Sequence, residues 1–555
     1  MIKSKIYITF CACLFATLLA AQPGGTKPPG NVADQSQDVV KNFDAKLLES
    51  EKVKINPVLP AVDTSTKAQS YNVPNKVLTL DYQPPRMRPI SMAQGKLPPQ
   101  YNGFAKLGYG FPNSPYGEAA YRFGDPKTYM AGLKAKYHAA DNSAKIENQR
   151  FSILDVEGNG TYFLDIGMAV DAKIGFNQNT NHYYGYNFPV KDTTLNEEAS
   201  KQRFNDFSAS LKLYNTVRTV ADFSYGVGLN LNVYSDNFTS KETDFVINAN
   251  ATKWFAEKHP LTLILKTDFT SYVQDNVDKG QNLNNIHLMP SFTFKSDYFS
   301  LKLGGNLISS ADIFYPKPDI EANLSVAGNK LGIFAGWKGD FIKNNFRNLT
   351  KYNPFILSKQ TIKNTDVTEY YGGVKGAVSG FEYSAQTGWS SNKNLALFLL
   401  DSSDAKNRFN VIYDTVSIFN IRGAITFKPI TDMELTATVS QNVYTAEKEK
   451  AAWGLPSLDM NIGAKYKVFN NVKSNTTASV KANFFVQNGV NVKKLDGTSE
   501  RLNALADLSL GGEVFFTENI GVFLDVNNIL DNKRQRWQNL PIFGLNILGG
   551  ISARF

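Results

Sequence analysis

Apolar and polar residues alternate with a period of two in segment after segment of this 555-residue chain, and no other feature narrows its fold as far. Tyr129 to Tyr137 sets Tyr129, Ala131, Leu133, Ala135 and Tyr137 against Met130, Gly132, Lys134 and Lys136. Thr161 to Phe176 sets Tyr162, Leu164, Ile166, Met168, Val170, Ala172, Ile174 and Phe176 against a set that includes Asp165, Asp171 and Lys173. Ala221 to Tyr234 sets Phe223, Tyr225, Val227, Leu229, Leu231 and Val233 against Asp222, Ser224, Asn230, Asn232 and glycines, and Met433 to Ser440 repeats the pattern. Side chains of a strand point alternately to its two faces, so each segment reads as a strand with a different solvent on each side. Alternation over 13 to 16 residues outruns the five or six typical of strands in soluble β-sandwiches or propellers. Beyond the first 21 residues no apolar run approaches the length of a membrane-spanning helix, Leu395 to Leu400 being among the longest. Strands can cross a bilayer only as a closed barrel, because an open edge leaves backbone groups unpaired in hydrocarbon. The expected fold is therefore all-β, a transmembrane antiparallel β-barrel over residues 101–555.

Connections alternate between short and long, as expected for short periplasmic turns and longer outer loops. Short turns are expected near Asp125-Pro126, Arg218, Lys258 to Pro260, Ser296-Asp297, Gly328-Asn329, Val378-Ser379, Thr431-Asp432, Asn470-Asn471 and Glu518-Asn519. Long stretches fall at 177–203, 343–366, 391–415, 443–456, 487–501 and 531–541. Consistent strand direction requires one more strand, around Ile146 to Leu154. The count is then about 22, an even number that closes an antiparallel ring.

The N-terminus carries an export pattern. Lys3 and Lys5 precede an apolar stretch from Ile6 to Leu19 and the small residues Ala20-Ala21, so residues 1–21 read as a signal peptide cleaved before Gln22. Cys11 and Cys13 leave with it, and no disulfide, thiol nucleophile or cysteine metal site is expected afterwards. Residues 22–100 hold 11 of the 23 prolines with little periodicity, an extended arm in the periplasm or inside the lumen. The formal charge of +9 falls to +7 once Lys3 and Lys5 are lost, and no motif for nucleic acid accompanies it.

Phe543 to Phe555 completes the pattern: Phe543, Leu545, Ile547, Gly549, Ile551, Ala553 and Phe555 form one face, ending on the terminal aromatic. That ending resembles bacterial outer-membrane barrels, which implies that Phe543, Ile551 and Phe555 form the signal read by the barrel-assembly machinery. One strand earlier, Val526-Asn527-Asn528-Ile529-Leu530-Asp531-Asn532-Lys533 is similar to the penultimate strand of TonB-dependent receptors. Phe314-Tyr315-Pro316, Asn353-Pro354-Phe355 and Trp453-Gly454-Leu455-Pro456 resemble a plug-less, receptor-like barrel group of the Bacteroidetes. Such receptors carry a globular plug ahead of the barrel; the Pro-rich stretch here has neither that character nor a TonB box. The resemblance implies an outer-membrane location, solute passage or uptake, contact with outer-membrane lipid and lipopolysaccharide, and a surface lipoprotein or periplasmic partner.

Few residues suggest chemistry. Lys134, Lys136, Asp165, Asp171, Lys173 and Asp222 fall on the polar face and are expected to line the lumen, where charge sets ion selectivity. No cofactor and no enzymatic activity are expected: His138, His182, His259 and His287 fall in no recognisable nucleophile or acid–base arrangement. Asp155-Val156-Glu157-Gly158-Asn159-Gly160 opens like a calcium loop, but position 12 is Ile166 instead of a bidentate Glu, so a polar turn is expected. Lys533, Arg534, Arg536 and Trp537 form a basic, aromatic outer loop that could meet lipopolysaccharide. The functional expectation is solute passage or uptake; the alternative is a non-transporting structural or accessory barrel in an envelope complex.

Overall fold

The computed structural model describes residues 101–185, 197–274, 280–401, 407–471, 476–494 and 496–555. The expected signal peptide at 1–21 and the expected Pro-rich arm at 22–100 fall outside the described residues. Twenty-two antiparallel strands form one sheet from β1 (Gly103–Phe111) to β22 (Asn546–Arg554), and β1 pairs with β22 to close the ring. Among the described residues no helix is long and apolar enough to cross a membrane.

The alternation seen in the sequence is the inside–outside alternation of the wall. On β3 (Tyr129–Asp141), Tyr129, Leu133 and Tyr137 are exposed on the outer surface. Leu211 and Leu213 on β6 (Lys201–Asn215), Val227 and Leu229 on β7 (Phe223–Asp236), and Leu261, Leu263 and Leu265 on β9 (His259–Val273) continue that apolar surface. Trp337 on β13 (Gly332–Asn344) stacks on Tyr370 of β14 (Lys363–Val378) at 5.5 Å, and Tyr370 lies 6.3 Å from Trp389 of β15 (Phe381–Leu400). Exposed rings in a row across three strands are what an interfacial aromatic girdle requires.

Short connections gather at one end of the ring, at 126–128, 165–167, 216–222, 256–258, 296–298, 326–331, 379–380, 431–432 and 516–519. The other end carries the long ones, at 183–200, 345–362, 447–457, 489–504 and 528–545, together with the short links 112–113, 237–240 and 311–312. By the usual asymmetry of transmembrane barrels the long-loop end is the outer one.

Four expectations change. Residues 391–415, expected as a long connection, are mostly strand, since β15 runs to Leu400 and β16 (Phe409–Ile430) begins at Phe409. Thr161 to Phe176 is a hairpin between β4 (Arg150–Leu164) and β5 (Met168–His182), not one strand. Its turn has only three residues, Asp165, Ile166 and Gly167, with Gly167 at φ 74°, so the odd–even pattern runs through it undisturbed. The extra strand placed at Ile146 to Leu154 is the first part of β4, which leaves the total unchanged, and the would-be calcium loop at 155–160 is paired strand within β4 instead of a polar turn. At the C-terminus Phe543 lies before β22, with its ring 5.5 Å from Phe151, and so does not belong to the last strand. Ile551 faces outward, and the terminal Phe555 stacks on Tyr121 at 5.9 Å.

The closing seam depends on glycine. Gly550 pairs with Gly108, and a Cβ on Gly550 would lie 2.0 Å from the Leu107 carbonyl oxygen, a backbone atom that cannot move aside. Replacing Gly550 by Val is therefore expected to block closure: most of the protein should lose the fast-migrating, heat-sensitive band on a denaturing gel, whereas Ile551→Val should keep it.

Candidate functional site

A ring of 22 strands spaced about 4.8 Å apart and tilted about 40° has a circumference on the order of 140 Å, too wide for wall side chains to fill. Below the outer end the wall is polar. A recess of about 470 Å³ is lined by Lys106, Lys428, Glu434, Lys465, Lys481 and Asp525 among others, with ion pairs Lys106–Glu513 and Lys481–Asp525 at 2.7 and 2.8 Å.

The outer mouth is bridged by the chain's own loops. Those following β5, β13 and β21 (Ile520–Asn527) are rooted eight, eight and six strands apart around the ring. All three meet pairwise: Tyr352 packs on Trp537 at 5.6 Å, Phe355 on Tyr184 at 5.9 Å, and the Tyr184 hydroxyl donates to the Pro541 carbonyl at 3.0 Å. Loops from three sides of a ring can touch one another only across its lumen. One buried cluster runs through the contact, joining Tyr183, Phe204, Tyr234, Tyr272, Phe346, Leu349, Phe355, Phe398, Phe409, Trp537 and Leu540.

The loop after β13 supplies the centrepiece. Within it, helix α2 (Phe346–Tyr352) follows α1 (Glu197–Ser200) in chain order and begins at Asn345, whose side chain accepts from the Asn348 N–H at 3.2 Å. Phe346 is fully buried against Tyr272, Tyr234 and Phe204 of the wall, with ring centres at 5.1, 5.8 and 6.3 Å. The Glu242 carboxylate, on β8 (Lys241–Phe255), accepts from the Phe346 N–H at 2.6 Å and from the Asn345 side-chain amide at 2.7 Å. It thereby pairs a first-turn donor that has no partner within the helix. Asp206 on β6 receives Arg347 Nε on both oxygens at 2.9 Å and Lys351 Nζ at 2.9 Å. Lys343, near the end of β13, reaches Asp244 and Asp268, each at 2.7 Å.

The last outer loop is stapled at its base. Asn528, at φ 49°, donates from its side chain to the Asn532 and Phe543 carbonyls at 2.8 and 2.9 Å, and its Oδ1 accepts from the Asn532 N–H at 3.1 Å. Asp531 accepts from the Leu545 N–H at 2.9 Å, a bond that with Lys533 holds its carboxyl below the usual range. At the tip Trp537 is buried between Tyr352, Phe398 and Phe409, and Arg536 lies over its ring at 4.2 Å. Trp537 is therefore part of the core and is withdrawn from any lipopolysaccharide surface. Burial pushes the Tyr184 phenol nearby up to about 12.

The charged residues singled out from the sequence are dispersed. On β3, Lys134 lies 3.7 Å from Glu118, and Lys136 lies 5.9 Å from the centre of the Tyr116 ring. On β5, Lys173 pairs with Glu157 at 2.7 Å, and Asp171 accepts from the Tyr214 hydroxyl at 3.4 Å. Asp165 and Asp222 sit in the short turns 165–167 and 216–222 and are not on the strand wall. Among the described residues no group of His, Cys, Asp and Glu could hold a metal ion. His182 and Ser200 do meet, at 2.9 Å, but Ser200 is fully buried and its hydroxyl donates to the Glu197 carbonyl. Sequence reasoning missed Asp206, Glu242, Asp244, Asp268, Lys343 and Arg347. The available signal lay in the runs Asn353-Pro354-Phe355 and Trp453-Gly454-Leu455-Pro456, since Asn353, Phe355 and Trp453 are buried in or beside the cap.

No protein-family model matches the chain, and no curated protein matches its sequence. Solved structures do match its fold. The FrpB iron transporter of Neisseria meningitidis (F3-3 variant) superposes with a TM-score of 0.65 at 10% identity, over 83% of this chain and 82% of that one. The pyoverdine outer membrane receptor FpvA of Pseudomonas aeruginosa gives 0.60 at 12% identity, over 83% and 79%. The ferric enterobactin receptor PfeA of the same species, in a mutant form, gives 0.59 at 10% identity, over 82% and 80%.

If Trp537 is the centre of the cap, Trp537→Ala should destabilise it by about 3–5 kcal/mol. Trypsin should then cut after Arg536 and Lys351 in the folded barrel, sites that resist it in the unaltered protein.

Proposed function

We propose that the chain is a receptor-like barrel of the outer membrane of a Gram-negative bacterium, serving solute passage or uptake through a lumen that its own outer loops keep shut. The observation that carries this reading is the pairwise meeting of three widely separated loops over a polar lumen. A barrel serving only as a membrane anchor needs neither so wide a ring nor a charged interior. The fold shared with iron and siderophore receptors supports uptake. The resemblance at Val526 to Lys533 extends the reading to a relative of TonB-dependent receptors, and those at Phe314 to Pro316, Asn353 to Phe355 and Trp453 to Pro456 extend it to a plug-less one of Bacteroidetes type. On this reading the protein is not an enzyme, and its partners are lipopolysaccharide, the assembly machinery, and a surface lipoprotein or periplasmic protein.

A second reading, a non-transporting accessory barrel, draws on the density of the cap, whose Phe346, Phe409 and Leu540 are almost wholly withdrawn from solvent. Conductance in planar bilayers separates the two. The mature protein should conduct rarely, and Phe346→Ala should bring frequent, sustained openings. Silence in both would favour the accessory barrel. A current that appears only after removal of residues 22–100 would assign closure to that segment.

A further inference from the structure

Two neighbouring strands of the wall separate halfway up. β12 (Ile313–Ser325) pairs with β13 only from Ser325 opposite Gly332 to Asp319 opposite Lys338, yet both strands run on towards the outer end, through Ile313–Pro318 and Gly339–Asn344. Among the described residues no other neighbouring strands run on unpaired for so long. The cause is local. Consecutive residues of a strand turn their N–H groups to opposite neighbours. The ladder from β12 to β11 (Phe299–Ser310) runs unbroken past Pro316 and Pro318, so the N–H groups these prolines lack are the ones that would face β13. Trp337, in the aromatic row, lies two residues before Gly339, so the break begins at the outer face of the membrane. Backbone groups there can meet water and headgroups instead of hydrocarbon.

Side chains fill the break. The Tyr315 ring meets the Phe341 ring at 5.0 Å. Lys317 crosses Gly339, where a Cβ would lie 2.8 Å from its own, and pairs with Asp366 on β14. The Phe341 N–H donates to the Asp340 carboxylate at 2.8 Å, and the same oxygen accepts from Asn306 of β11 at 3.0 Å. We propose that this break is a side gate: β12 and β13 part above Asp319 and Lys338, and solute passes between the lumen and the outer surface beneath the closed mouth. This rests on the reading of the barrel as a conduit. Parting two strands elsewhere in the wall breaks a row of backbone hydrogen bonds. Here it requires only that Tyr315 and Lys317 swing aside, and Lys317 and Asp366 are hydrated once they separate at the surface. The ladder that resumes at Asp319 limits the gap and keeps the lipid-facing wall below it sealed.

The test uses an added thiol, since Cys11 and Cys13 are the chain's two cysteines and both fall in the expected signal peptide. Asn306→Cys places it behind the break, at a position 4% exposed. Adding Pro316→Val and Pro318→Val supplies the two missing donors and should slow maleimide modification about tenfold, the effect of two further backbone hydrogen bonds. Adding Tyr315→Ala and Lys317→Ala instead should speed it by a similar factor. In planar bilayers that second variant should show sustained openings while Arg536 stays resistant to trypsin, the cap being untouched. Heat-sensitive migration on a denaturing gel checks that each variant has closed its barrel. A rate indifferent to the valines would overturn the gate, as would openings that come only with loss of trypsin resistance. Labelling that responds as expected in a barrel silent in bilayers would uphold the gate and refute the conduit, so the two failures can be told apart.

Discussion

Every backbone N–H and C=O that enters hydrocarbon must find a partner within the protein, and that requirement governs the whole molecule. With no spanning helix among the described residues, pairing is met strand to strand and completed where β1 meets β22. Twenty-two strands satisfy it at the expense of a lumen their side chains cannot fill. The long outer loops are a response to that geometry. They carry the large aromatic residues that a soluble domain would place in its core.

Two kinds of interaction hold the cap, and they have different roles. Burial of Phe346, Phe409 and Trp537 supplies most of the stabilisation, at about 1.5–3 kcal/mol for each large side chain. The ion pairs contribute less, because carboxylates and cations lose hydration as they come together. Their value is positional: Asp206 and Glu242 fix where α2 begins and which way it turns, so that Phe346 enters the gap among Phe204, Tyr234 and Tyr272. Asn528 does the same for the last loop, whose Trp537 joins the same cluster. The segment Val526 to Lys533 is thus a structural device at the base of a loop.

The barrel itself was legible because a bilayer imposes period-two alternation on each strand independently. Fine boundaries were less so. A three-residue turn at Asp165 preserves parity and hides a hairpin, and Phe543 matches the outward set of β22 although it precedes that strand. The cap was nearly invisible for a different reason. Asp206, Glu242, Asp244 and Asp268 occupy ordinary inward positions in alternating strands, and only the distant Arg347, Lys351 and Lys343 give them a role. Lone charges such as Lys134 and Lys173 looked the same in sequence, yet each finds a carboxylate on a neighbouring strand. Long-range partnership across a lumen leaves no local pattern.

Hydrogen exchange on the intact barrel in lipid would decide whether the mouth is closed. If the loops shut it as a packed unit, the amides of Phe346, Leu349 and Asn353, which donate to Glu242, Asn345 and Leu349, should exchange slowly, together with the segment around Trp537. The short turn at 126–128 should exchange fast. Equal, rapid exchange in the 345–353 segment and in that turn would refute closure, because a loop that is only resting over an open lumen has nothing to protect it.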